Sequence, residues 1–156
     1  MLTLSSAELT ELLSATLARG APFRFSAKGS SMNPFIKDGD AITISPLRTT
    51  DLGDGDVVAF KRFGTDRLVI HRIVGIRNGL FLIQGDNISG TDGVIPAAEL
   101  LGRVTKVERK GRNCRIGLGP ERRLIALFSR FGLLVMLLLP IRKIYRLFVR
   151  IAGRPS

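Results

Sequence analysis

A serine, a histidine and two aspartates in this chain have the side chains that nucleophilic hydrolysis needs. Ser31 follows a glycine and another serine, His71 is the single histidine of the 156 residues, and Asp86 and Asp92 share a glycine-framed segment. A serine hydroxyl attacks a carbonyl only when a base accepts its proton, and histidine suits that task near neutral pH. A carboxylate then orients the imidazole and stabilises its charged form. These residues therefore predict a Ser-His-Asp mechanism, with either aspartate as the acid.

Each of these segments also has an ordinary structural interpretation. The Gly-Ser-Ser-x-x-Pro stretch around Ser31 and the Gly-Asp-Asn at Asp86 are typical turn sequences, and His71 lies among apolar residues where a structural histidine would also fit. All three segments, however, lie within or at the end of an alternating apolar run that is typical of a strand. This shared context favours one catalytic constellation over three unrelated turns.

The order of the segments resembles the type I signal peptidases of the S24/S26 superfamily of serine peptidases. Ser31-Met32-x-Pro34, His71 followed by arginine, and the Gly-Asp-Asn at Asp86 match the family's sequence boxes, in the order that the family uses. A histidine base is typical of the archaeal and endoplasmic-reticulum branch. The resemblance implies that Ser31 is the nucleophile and His71 the general base. It favours Asp92, six residues after Asp86, as the triad acid and gives Asp86 a supporting role.

The chain departs from this family beside the nucleophile. Signal peptidases often carry a serine two residues before the nucleophile, where its hydroxyl helps to bind the oxyanion; that position is Gly29 here, and Ser30 follows it. Losing one oxyanion donor costs about 3 kcal/mol of transition-state stabilisation in other serine hydrolases. We therefore expect a backbone N–H near Gly29 or Ser30 to take over this role, or the enzyme to be slow.

Lys61 is the alternative base, because related self-cleaving repressors and bacterial signal peptidases use a Ser-Lys dyad. A lysine base must be shielded from water so that its pKa falls toward neutrality. Lys61 stands next to Arg62 at the end of an apolar run. A solvated strand end is the expected place for such a residue, so that histidine is favoured.

The composition predicts a mainly β fold. Seventeen glycines and seven prolines accompany short alternating runs, and Asn78-Gly79 between two of them is a strong hairpin signal. A helix is expected at about Ser6 to Ala18, with Ser5 or Ser6 as its cap. The resemblance implies a coiled β-sheet core of the signal peptidase and LexA-like type, which binds an extended peptide at a sheet edge and prefers small residues before the cut. The predicted strands are Phe23–Phe25, Ala41–Ile44, Val57–Phe60, Leu68–Ile76, Leu80–Ile83, Leu101–Val107 and Cys114–Leu118.

The same composition points to hydrolysis without a cofactor. The single cysteine, Cys114, cannot form an intramolecular disulfide, and one histidine with one cysteine offers no typical zinc site. The sequence also has no glycine-rich phosphate loop with its lysine. We therefore expect neither a metal nor a cofactor.

The positive charge lies almost entirely in the last third of the chain. The net charge is +11, yet residues 1–102 hold 10 Lys+Arg and 11 Asp+Glu, whereas residues 103–156 hold 14 and 2. The apolar run Leu124–Leu139 is shorter than a membrane span and contains Arg130, and a cationic amphipathic segment follows Pro140. The sequence predicts a catalytic domain at 1–118 and, at 119–156, amphipathic helices that bind an anionic membrane surface. A helical hairpin packed on the domain is the alternative.

The polarity of the N-terminus bears on the expected location of the protein and, through it, on the expected substrate. Signal peptidases usually carry an N-terminal membrane anchor, and this N-terminus is too polar for one or for a secretory signal. We therefore expect a peptidase at the cytoplasmic face of a membrane, acting on a precursor peptide or protein. A non-catalytic module that binds peptides or membranes is the main alternative, and self-cleavage is another. Nucleic acid is not expected, because the apolar run Leu133–Leu139 is a poor phosphate-binding stripe. The oligomeric state is open.

Overall fold

The computed structural model describes residues 5–62, 64–65 and 67–133. Two α-helices and eight strands lie in this part, with short 3-10 turns at Thr49–Asp51 and Ala97–Glu99. The helices are α1 (Ser6–Ala18) and α2 (Arg122–Arg130), and the strands are β1 (Phe23–Ser26), β2 (Ala41–Ser45), β3 (Val57–Lys61), β4 (Leu68–Arg77), β5 (Leu80–Gln84), β6 (Thr91–Pro96), β7 (Leu100–Arg109) and β8 (Arg112–Asn113).

All strand pairings are antiparallel, and the prediction of a mainly β fold is confirmed. The strand order is β1-β2-β7-β3-β4-β5-β6, with β8 paired to the end of β7. The long strands β4 and β7 each pair with different partners along their length, and register shifts occur in four of the pairings. Such irregularities increase local twist and bend a sheet. These shifts therefore bend and twist the continuous sheet.

The two faces of β3 belong to two separate hydrophobic cores. Val57 and Ala59 pack in the cluster that also contains Leu13 and Leu17 of α1. Val58 and Phe60 pack in a second cluster with residues of β4 to β7. Because successive side chains of a strand point to opposite faces, a strand buried on both sides reads as a continuous apolar run. The central strand beside His71 is therefore held from both faces.

Helix α1 has the bounds that its sequence predicts. Ser5 accepts a hydrogen bond from the Glu8 N–H at 3.3 Å, and the Glu8 carboxylate accepts one from the Ser5 N–H at 2.7 Å, which forms a capping box. Leu13 and Leu17 on its inner face are buried against the sheet. A Cβ on Gly102 would lie 2.8 Å from Leu17, so glycine permits this close approach.

Six of the seven predicted strands are confirmed, and one is wrong. The Asn78-Gly79 hairpin between β4 and β5 is also confirmed, with φ values of 52° and 73°. The segment Cys114–Leu118 forms no strand; after the short β8 it turns, and the Leu118 N–H bonds to the Arg115 carbonyl at 3.1 Å. Gly117 has a φ of 97° within this turn, a conformation that suits glycine and breaks an extended run. The alternation does not predict strand β6, because Gly93 and Pro96 interrupt it.

Helix α2 packs on β4 and begins the basic C-terminal region. Ile125 and Ala126 are buried on its inner face, whereas Leu124 and Leu127 are 59% and 50% exposed on the other. Residues 134–156, which contain most of the predicted membrane-binding segment, lie outside the described residues. Among the described helices, neither is long and apolar enough to cross a membrane.

Candidate active site

Ser31 lies in the loop between β1 and β2, and the loop after β5 holds it in place. The Asn87 N–H donates to the Ser31 carbonyl at 2.8 Å, and the Asn87 side-chain amide donates to the Ser30 carbonyl at 2.9 Å. Met32, next in the chain, is buried in the core around α1. Asn87 therefore joins two segments that are far apart in sequence. It is a positioning residue to which sequence reasoning gave no role.

His71 lies in β4 and contacts Asp92 at the start of β6. The imidazole is 2% exposed and stands edge-on to the Phe60 ring, with centroids 6.3 Å apart. Its Nδ1 hydrogen-bonds to Oδ2 of Asp92, and the other Asp92 oxygen accepts a hydrogen bond from the Arg62 guanidinium at 3.0 Å. With Nδ1 as donor in the neutral ring, Nε2 keeps its lone pair for a proton.

The environment of Asp92 keeps its carboxylate ionised. Burial acts to raise the pKa of Asp92, but the hydrogen bond and charge of His71, followed by those of Arg62, outweigh it, so that the pKa lies below its ordinary value. A carboxylate bonded to two donors favours its charged form. Asp92 can therefore orient the ring and stabilise an imidazolium. Arg62 is a second residue that sequence reasoning did not assign to the site.

Gly85 brings the nucleophile loop and the histidine close together. A Cβ on Gly85 would lie 2.9 Å from the Ser31 carbonyl oxygen and 3.0 Å from Nε2 of His71. The Ser31 carbonyl oxygen and His71 Nε2 therefore both lie close to Gly85, and only glycine leaves room for them. The loop after β5 approaches the site here through its backbone.

Ser31 and His71 also line one pocket of about 680 Å³, together with the ends of α1 and β1 and the first half of β4. Within the described part of the chain, Ser31 Oγ makes no hydrogen bond to His71. Catalytic hydrogen bonds in free enzymes are often long and shorten once substrate is bound. The structure thus places the predicted nucleophile and base at one pocket, without a formed Ser-His hydrogen bond.

Asp86 is not the hydrogen-bond partner of His71 and belongs instead to a separate buried ion pair. Arg72 donates two parallel hydrogen bonds to Asp86, at 2.8 and 2.7 Å, and both side chains are fully buried. The same guanidinium donates to the Gly55 and Gly117 carbonyls at 2.8 and 2.7 Å. Asp86 and Arg72 therefore fix the loop after β5 to β4 and to the segment that leads into α2.

A family model described as Peptidase S24-like matches residues 5–105. The match includes Ser31, His71, Asp86 and Asp92, and it spans α1 and the strands up to the first half of β7. This chain belongs to the Peptidase S24-like family. No curated protein matches it. The coiled antiparallel sheet is the fold expected of an S24-like peptidase.

One expected oxyanion donor in this S24-like domain is already engaged. The Gly29 N–H donates to the Asp38 carboxylate at 2.8 Å, with Gly29 in the left-handed region at a φ of 95°. The N–H groups of Ser30 and Ser31 have no hydrogen-bond partner among the described residues. These two groups, rather than the Gly29 N–H, are available for an oxyanion.

The alternative base, Lys61, is exposed in this S24-like domain. It lies at the end of β3, where it pairs with Leu68 across the strands. Lys61 does not line the pocket that Ser31 and His71 share.

Proposed function

We propose that this S24-like peptidase is a serine endopeptidase of signal-peptidase type, with Ser31 as nucleophile, His71 as general base and Asp92 as orienting acid. The observation that carries the proposal is the buried hydrogen bond between His71 and Asp92 at the pocket that Ser31 lines. A buried, charge-assisted contact of this kind fixes the tautomer that a base needs. Asp86 supports the site through Arg72.

The reaction follows acyl-enzyme chemistry. Ser31 Oγ attacks the scissile carbonyl carbon while His71 Nε2 takes the hydroxyl proton, and Asp92 stabilises the imidazolium. The tetrahedral intermediate then expels the amine, which receives the proton from His71. Water hydrolyses the ester by the same route in reverse, and the Ser30 and Ser31 N–H groups are the candidate donors to the oxyanion.

The substrate is an extended peptide. Strand β1 pairs only with β2, and the segment Leu68–His71 of β4 pairs only with β3 among the described strands. Residues of both segments line the pocket. Free strand edges bind extended chains through backbone hydrogen bonds, and side-chain pockets add specificity. A precursor peptide or protein with an accessible extended segment fits this groove.

We place the enzyme on an anionic membrane surface at its cytoplasmic face. Support comes from α2, where Leu124, Leu127 and Phe128 are exposed and Arg123 and Arg130 flank them. Apolar side chains beside arginines suit the interface of an anionic bilayer. Sedimentation with anionic and with neutral vesicles tests this, using wild type and Leu127→Glu; binding to anionic vesicles that Leu127→Glu does not weaken would contradict it.

A non-catalytic peptide-binding module is the second candidate function. It is favoured by the missing hydrogen bond between Ser31 and His71 and by the engaged Gly29 N–H. A peptide library incubated with wild type and with Ser31→Ala separates the two functions. Cleavage by wild type alone supports the peptidase, whereas peptide binding without cleavage in both proteins supports the module.

A further inference from the structure

The charged side chains among the described residues that line the pocket of Ser31 and His71 are all basic. They are Lys28, Arg62 and Arg67, and no described aspartate or glutamate lines the pocket. Residues 1–102, which contain every residue that lines the pocket, hold 10 Lys+Arg and 11 Asp+Glu. The described lining is therefore more basic than this part of the chain as a whole.

Two of these cations are available to a ligand. Arg62 donates to Asp92 and so belongs to the catalytic constellation. The side chains of Lys28 and Arg67 are exposed and make no hydrogen bond or ion pair with another described residue. Both side chains are therefore exposed to an anionic group of a ligand.

The position of Arg67 along β4 indicates which residue of a bound peptide would lie beside it. Arg67 directly precedes the free edge segment Leu68–His71 of β4. At about 3.3 Å per residue, Arg67 lies about 13 Å along the strand from His71. A peptide that pairs with this edge and presents its scissile bond to Ser31 therefore places a residue about four positions from the cut beside Arg67.

The pocket is lined by apolar and polar side chains. Leu9, Phe25, Leu68, Ile70 and Ile88 line it, and so do Ser6, Ser26, Ser30 and Asn87. A peptide that fits can therefore carry apolar residues together with one carboxylate beside Arg67. Arginine is well suited to that carboxylate, because its guanidinium can donate two parallel hydrogen bonds.

We infer that this S24-like domain selects extended peptides that carry an aspartate or glutamate about four residues from the scissile bond, and that the Arg67 side chain binds this carboxylate. The inference rests on the proposed function, whose groove it uses. Arg67 is a specificity-determining residue in it and takes no part in bond cleavage.

The test uses one parent peptide with apolar residues. At each of the third, fourth and fifth positions on either side of the scissile bond, one residue at a time is replaced by Glu, Gln or Lys. Wild type, Arg67→Glu and Arg77→Glu are compared. Arg77 is an exposed arginine at the far end of the same strand and does not line the pocket.

Wild type and Arg77→Glu should cleave the best Glu peptide about two- to fivefold faster than its Gln version, in kcat/KM, as an exposed ion pair allows. Arg67→Glu should reverse the order of the Glu and Lys peptides, and high salt should reduce both preferences.

Binding to the Ser31→Ala protein separates this inference from the proposed chemistry. Fluorescence anisotropy with the same peptides needs no turnover. Tighter binding of Glu peptides that Arg67→Glu abolishes, without cleavage by wild type, would support carboxylate binding by Arg67 and overturn the peptidase. Equal cleavage and equal binding of the Glu, Gln and Lys peptides, or an unchanged preference in Arg67→Glu, would overturn the inference even if Ser31-dependent cleavage is found.

Discussion

His71 hydrogen-bonds to Asp92 through Nδ1, and Arg72, the next residue of β4, hydrogen-bonds to Asp86. Successive side chains of a strand point to opposite faces. His71 therefore faces the pocket with Asp92, and Arg72 faces the interior with Asp86. Asp86 and Asp92, six residues apart in sequence, therefore bond to opposite faces of β4. Substitutions of the two residues should have different effects.

Replacing Asp92 by asparagine should damage catalysis and leave the fold in place. The asparagine cannot stabilise the imidazolium, and its amide favours the wrong tautomer of His71. In another serine protease, the corresponding change lowers kcat about 10⁴-fold, and we expect a loss of at least 10³-fold here. Steady-state kinetics with a cleaved library peptide measures it, with circular dichroism as the check of folding. An Asp92→Asn enzyme within tenfold of wild type would rule out Asp92 as the triad acid.

Replacing Asp86 by asparagine should instead reduce the free energy of unfolding. The substitution leaves the buried Arg72 charge without its carboxylate partner, and breaking one side of a buried ion pair costs about 3–5 kcal/mol. Urea unfolding of Asp86→Asn and Asp92→Asn, followed by circular dichroism, compares the two losses. If Asp86→Asn is as stable as wild type, the ion pair does not fix the loop as described.

Adding a methyl group at Gly85 should disturb the site, whereas adding one at Gly90 should not. A Cβ at Gly85 would be 2.9 Å from the Ser31 carbonyl and 3.0 Å from His71 Nε2, while nothing lies within 4 Å of a Cβ at Gly90. Misplacing catalytic groups by about 1 Å can cost on the order of 10²-fold in rate. We expect Gly85→Ala to lower kcat/KM by tenfold or more and Gly90→Ala to match wild type. Similar rates for both variants would show that the loop adjusts freely.

Acid should weaken the fold partly through the Asp40–Arg109 pair. Burial acts to raise the pKa of Asp40, but its hydrogen bonds with Arg109 and the Lys37 N–H outweigh this and lower the pKa below its ordinary value. A carboxyl with a lowered folded-state pKa contributes stability above its unfolded pKa and loses it as the pH falls through the folded one. Wild type should therefore lose more stability than Asp40→Asn between pH 7 and about pH 2. Parallel losses in pH-dependent urea unfolding would contradict this.

Local patterns in the sequence specify much of the fold. The capping box at Ser5 sets the start of α1, and the residue pair Asn78-Gly79 tolerates the positive φ values of a tight hairpin turn. Alternation predicted six strands. It failed at Cys114–Leu118, which turns at Gly117 and leaves Ile116 exposed, and at β6, where glycine and proline interrupt the pattern.

Long-range contacts account for what the sequence could not specify. The Arg62–Asp92 bond joins residues 30 apart, and the Arg72–Gly117 bond joins residues 45 apart. No local spacing encodes such a pair, because it depends on which strands become neighbours. The choice of Asp92 over Asp86 came from a family resemblance, and the residues alone left both open. The role of Asn87 likewise emerges only when two loops meet.

Mass analysis of the intact protein after treatment with an acylating or phosphonylating serine probe tests the central claim most directly. Wild type should gain one probe mass, and Ser31→Ala should gain none. Ser89→Ala, which removes an exposed serine of the loop after β5, should react as wild type does. His71→Ala should react far more slowly, because the base is missing. Labelling that persists in folded Ser31→Ala, or no labelling of folded wild type, would contradict the assignment of Ser31 as an activated nucleophile.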